Sequence, residues 1–318
     1  MPERLQTAQL PLFQQQGLAK QFVPTKTSRQ RMQTTTKDIG LVTEDQPVVH
    51  IVIPDTQAKE GVPTDHLTWI GNYIVEEYHN KNIKIIHLGD HADMPSLSLY
   101  DKGKKSMEGR RVIADIESAN EAWRILNQPL YDFNDNRRKT KHAIWNPERH
   151  ILLGNHEDRI NRATENDAQI DGLFSTDDLD YARTGWKVSP FKEILWLDGV
   201  AYSHFFYNPM TGVPFGGNAE TRLKTVGHSF TMGHQQTLMY ALRFVAGKSQ
   251  HALVAGACYL HDEAYKGPQG NAHWRGIIVK HQVHEGSYDP MFVSLDYLCQ
   301  RYEGMKLERF KQLKYPHM

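Results

Sequence analysis

A layered α/β fold is predicted for this 318-residue chain by three features. Five apolar runs each stop on a polar residue able to bind a metal: VVHIVIPDTQ on Asp55, IKIIHLGDHAD on Asp90 and Asp93, ILLGNHE on Asn155 and His156, GVAYSH on His204, and SFTMGH on His234. A stretch with helical spacing separates the first two runs, so strand, helix and strand follow one another as in a right-handed crossover unit. The second half turns β-rich around an Asp198-Gly199 hairpin signal. In open α/β sheets ligands bind at the carboxyl ends of strands, where these runs place their polar residues.

In chain order, residues 1–46 are rich in Gln, Thr and Lys and are expected to be a largely disordered basic leader. Order is expected from Pro47, with Val48 to Ile53 a buried strand. Thr64-Asp65 is expected to cap a helix carrying Leu67, Ile70, Ile74 and Tyr78 on one face. Ile83 to Leu88 is the next strand. Residues 94–148 interrupt the rhythm as an insertion, mostly one helix, because Val112, Ile116, Ala119, Trp123, Leu126 and Leu130 recur at helical spacing. Ile151 to Leu153 form the pivotal strand, and Gly154 lets the backbone turn sharply after it. Residues 155 to 190 read as helical and irregular. Lys192 to Phe206 form the hairpin, Asn218 to Val226 a short helix, and strands are expected near 237–245, 252–260, 274–284 and 292–298. One domain over 47–300 follows, with 301–318 a charged peripheral tail.

Composition limits the function. Lys plus Arg equals Asp plus Glu at 37 each, so no whole-molecule field draws the chain to nucleic acid or an anionic membrane, and such binding must be local. Two cysteines, Cys258 and Cys299, are too few for a thiolate metal site or a disulfide framework, which fits a reducing compartment. The amino terminus lacks the apolar core of a signal peptide, and no run approaches the ~18 apolar residues of a membrane span. A cytoplasmic protein with no membrane partner is expected. The 17 histidines point to metal binding or acid/base work.

Taken in order, Asp55, Asp90 with Asp93, Gly154-Asn155-His156-Glu157, His204 and Gly233-His234 resemble the calcineurin-like metallophosphoesterase superfamily, whose pattern is D-x-H, G-D-x-x-D, G-N-H-[DE], a lone His and G-H-x-H. The resemblance spans about Val48 to Gln236 and implies a four-layer αββα sandwich that hydrolyses phosphoesters with two divalent metal ions. By this resemblance Asp90 bridges the ions, Asn155, His204 and His234 complete the second site, and Asp55 serves the first. His156 is the expected general acid or phosphate-orienting group, with Asp93 fixing its tautomer. Gln57 and Gln236 stand where the family pattern has His. Their neutral, harder amide oxygens imply that the first site suits manganese or magnesium better than zinc, with zinc or iron an option at the second.

For substrate, a nucleic-acid phosphodiester is favoured. The insertion carries basic residues, Arg137 and Arg138 among them, interleaved with aromatics, and Arg159 follows His156 by three positions. Arg137, Arg138 and Arg159 are therefore candidate phosphate contacts, although a structural ion pair is the competing role for Arg159. Within the leader, Gln9, Leu10, Leu12 and Phe13 resemble the peptide by which bacterial replication and repair proteins grip a sliding clamp. Two rivals stay open: a phosphatase on monoesters, and a metal-free scaffold. The protein-phosphatase pattern continues G-D-x-x-D with Arg-Gly, whereas Met94-Pro95 follows here.

Overall fold

A computed structural model describes residues 47–263 and 266–317. The leader, including Gln9, Leu10, Leu12 and Phe13, lies outside the described residues. The chain begins with β1 (Val48–Ile53), α1 (Asp65–Tyr78) and β2 (Ile83–His87), then α2 (Val112–Lys139), β3 (Glu148–Leu152), α3 (Asp158–Asn166) and β4 (Lys187–Ser189). Next come β5 (Leu195–Leu197), β6 (Val200–Ser203), α4 (Ala219–Val226), β7 (Phe230–Met232), β8 (Leu238–Val245) and β9 (Lys248–Ala255). The last elements are α5 (Gly267–Asn271), β10 (Gly276–His284), β11 (Ser287–Ser294), α6 (Leu295–Glu303) and α7 (Leu307–Lys314).

Two mixed sheets result. The first runs β11-β10-β1-β2-β3-β4, with β1 to β4 parallel and β10 and β11 antiparallel; the second runs β5-β6-β7-β9-β8. Period-2 alternation sorts the apolar residues into separate cores. Ile51, Ile53, Ile85 and Ile151 pack with Leu67, Ile70 and Trp123 beneath the helices. Their neighbours Val52, Ile86 and Leu152 pack with Tyr202 and Leu253 between the sheets. A third cluster sets Phe230, Ala252 and Val254 against Ala219 and Leu223 of α4. Helices, sheet, sheet and helix therefore succeed one another, compatible with the expected αββα sandwich.

Asp198 (φ 48°) and Gly199 (φ 82°) are both left-handed, the conformation a two-residue hairpin turn demands, and they join β5 to β6. Asn218 caps α4 by accepting the Thr221 N–H at 2.9 Å. Thr64 precedes α1 but makes no side-chain capping bond. Residues 295–298, expected to be strand, are the first turn of α6. Ser294 ends the strand because its hydroxyl accepts the Tyr297 N–H at 3.1 Å and so starts a helix. Part of the tail is anchored: Phe310 of α7 is buried edge-on against Trp69 of α1, with ring centroids 5.2 Å apart. Among the described residues no helix is long and apolar enough to cross a membrane.

Candidate metal centre

The loops that follow β1, β2, β3, β6 and β7 meet at one edge of the two sheets. Ligand atoms of Asp90, His204 and His234 all lie within 4.8 Å of one another. Asn155 Oδ1 sits between the histidines, 3.0 Å from His204 Nε2 and 2.8 Å from His234 Nδ1. Asp90 Oδ2 is 3.3 Å from His204 Nε2. His204 Nδ1 lies 2.8 Å from the Leu88 carbonyl, so its N–H donates there and Nε2 points at the cluster.

Close packing brings these loops together. A side chain at Gly154 would place its Cβ 2.1 Å from Asp90 Oδ1, and one at Gly233 would sit 2.5 Å from Asp55 Oδ1. Both positions must be glycine for the carboxylates to reach their places. Gln57, Asp90, Met94, His234 and Gln236 all adopt positive φ, between 43° and 67°. Such backbone costs about 1–3 kcal/mol per residue and persists where surrounding contacts impose it.

For Asp90, Glu157 supplies such contacts. Its buried carboxylate accepts the backbone N–H groups of Asp90, His91, Ala92 and Gly154 at 2.7–3.0 Å, and the Tyr181 hydroxyl at 3.2 Å. One side chain thus ties the loop after β2 to the loop after β3. The sequence placed Glu157 in a motif without a role, because its partners on the β2 loop lie more than sixty residues away.

Beside the cluster, His156 Nδ1 is 2.6 Å from Asp93 Oδ1, and Asp90 Oδ1 accepts the His156 N–H at 2.9 Å. Burial opposes protonation of His156, but Asp90 and Asp93 outweigh it and raise its pKa above the usual imidazole value. Burial likewise opposes ionisation of Asp93, and its bonds to His156 and Lys59 hold the carboxyl far below the ordinary range. Arg159 donates to the Asp93 carbonyl at 2.7 Å and places Nη2 3.2 Å from His156 Nε2. Lys59, which sequence reasoning missed, bridges Asp93 (2.8 Å) and Glu263 (2.7 Å).

The donors Asp90, Asn155, His204 and His234 suit one divalent ion: an anionic oxygen, a neutral oxygen and two imidazoles converge, and His204 is oriented by a backbone carbonyl. The expected first site fits less well. Asp55 Oδ2 and both amide atoms of Gln57 are buried without hydrogen-bond partners, as polar atoms awaiting a cation or water would be. Gln236, however, turns its oxygen to the Tyr259 hydroxyl at 2.9 Å and to the Lys266 ammonium, so an ion there would compete with a fixed positive charge.

His91 and His228 are not drawn into the cluster: His91 bonds Thr56 (2.7 Å) and the Ala119 carbonyl (3.0 Å), and His228 packs at a tilt against Trp196. Nor are Arg137 and Arg138. Both lie in the last turn of α2, where Arg137 donates to the Ala143 carbonyl and Arg138 pairs with Asp135 at 2.5 Å. Ala119, the level at which α2 meets His91, is 18 residues before Arg137, about 27 Å along the helix. No family model and no curated protein matches the chain.

Proposed function

We propose that the protein is a metal-dependent phosphoesterase of the calcineurin-like type, acting on phosphodiesters of nucleic acid. The observation that carries this reading is the convergence of Asp90, Asn155, His204 and His234 next to a His156–Asp93 pair at 2.6 Å. When bound to those donors, a divalent ion supplies positive charge against the phosphate oxygens and makes water acidic enough to attack phosphorus at neutral pH. His156, held by Asp93 and favoured as the imidazolium by the two aspartates, would face the ester from the other side. As the water oxygen bonds to phosphorus and the P–O bond to the leaving group breaks, Nε2 passes its proton to the departing oxygen. Arg159 Nη2, 3.2 Å from that nitrogen, provides a second donor to a phosphate oxygen placed between them.

Purified protein with manganese, tested on bis-p-nitrophenyl phosphate, p-nitrophenyl phosphate and oligonucleotides, distinguishes the readings. Diester and strand cleavage abolished in Asp90→Asn is the expected outcome. Turnover of the monoester alone supports a phosphatase, and no turnover with any divalent metal supports a scaffold.

A further inference from the structure

A cavity of about 260 Å³ opens on the Arg159 side of the site, between α3 and the turns that follow Met94. Its walls include Ser98, Leu99, Lys102, Met107, Arg159 and Arg162; among the described residues no carboxylate lines it, and behind the wall Arg162 Nε pairs with Asp158 at 3.4 Å, which leaves the rest of its guanidinium and Lys102 to face the cavity. Two of its cations are also bonded to the site. Arg159 reaches His156, and Arg162 donates to the Asn155 carbonyl at 2.9 Å. On the rim, Leu99 is 61% exposed, and the adjoining Tyr100 is 86% exposed. Cationic walls, an apolar floor and a bare aromatic ring next to a hydrolytic site match what an unpaired strand offers, namely phosphates spaced along a backbone with stackable bases between them. The volume suits one nucleoside unit and excludes a base pair.

We propose that this cavity receives the nucleotide next to the scissile phosphate of a single-stranded polynucleotide. The neighbouring phosphate lies against Lys102 and Arg162, and its base against Leu99 and Tyr100. This rests on the phosphodiesterase reading and adds a substrate class to it: a single strand is cut in preference to a duplex, and bases are held by stacking rather than read by sequence.

The test compares wild type, Lys102→Ala and Tyr100→Ala on single-stranded DNA, single-stranded RNA and blunt duplex DNA, with bis-p-nitrophenyl phosphate as the strand-free substrate. Both side chains are exposed, so neither change disturbs the core. For the single strand, KM is expected to rise about tenfold in each variant while kcat holds, as loss of one stacking or phosphate contact implies. Lys102→Ala is also expected to shallow the salt dependence by about one contact. DNA and RNA cut alike support recognition of the shared backbone and bases; a duplex cut as well as a single strand, or unchanged KM in both variants, overturns the proposal. Turnover of the small diester without cleavage of any strand removes this pocket but leaves the phosphoesterase standing. Failure of both substrates removes both readings.

Discussion

Glu157 and Gln236 show what single residues decide at this site. The Glu157 carboxylate is an acceptor for four backbone N–H groups, so Glu157→Gln turns an amide donor toward some of them and leaves buried donors unmatched. At about 1–3 kcal/mol for each unsatisfied group, the variant should lose on the order of 3 kcal/mol of stability. Thermal unfolding would show this as a clear drop in Tm, and an unchanged Tm would contradict the role. Gln236 is the residue expected to limit ion number. With its oxygen held by Lys266 and Tyr259, elemental analysis of manganese-loaded protein should find one ion per chain. The double change Lys266→Met with Gln236→His should admit a second. Two ions in wild type would show that Lys266 yields its place.

At the scale of elements, strand ends deliver the candidate metal donors and α2 packs against the His91 that follows one of them. The strand ends were legible in the sequence because a run of β-branched and aliphatic residues must be buried and must stop where its side chains turn polar. Val48–Ile53 and the Asp198-Gly199 turn follow from such local rules. The β11–α6 boundary was not legible, since Phe292 to Leu298 alone satisfies either period and only the Ser294 cap decides. Nor were the partners of Glu157, Lys59 and Gln236, because pairings such as Lys59 with Glu263 join residues about two hundred positions apart. The α2 stripe was visible, but the destination of its basic end was not. Arg137 and Arg138 serve the helix's own last turn, favourable for cations there. Arg137→Ala with Arg138→Ala should therefore leave kcat/KM on an oligonucleotide within about twofold, whereas Arg159→Ala should lower it by roughly a hundredfold, as loss of a charged transition-state contact does. Steady-state kinetics on one strand checks both.

Across the whole molecule, part of the histidine surplus serves the interior rather than the site. Burial lowers His50 to about 4, His66 to about 3 and His251 to about 4 from the usual 6.5. The unfolded chain takes up these protons near pH 6.5 and the folded chain only near 3 to 4. Their contribution is thus fully present above pH 6.5 and is lost as pH falls toward 4. Each tenfold difference in proton affinity between the folded and unfolded chain corresponds to about 1.4 kcal/mol, so a loss of a few kcal/mol is expected between pH 7.5 and 5. A urea midpoint that stays constant over that interval would contradict it. Three apolar cores hold the helices, the two sheets and α4 together, and loops from both sheets meet at one edge.

The most direct test is to strip the protein with a chelator and follow bis-p-nitrophenyl phosphate as manganese is returned to wild type, Asp90→Asn and His234→Ala. Turnover should vanish on stripping and return with manganese in wild type, while the variants bind the ion weakly and stay inactive. Hydrolysis that survives the chelator, or variants that bind manganese and turn over as wild type does, would show that Asp90, Asn155, His204 and His234 are not the working centre.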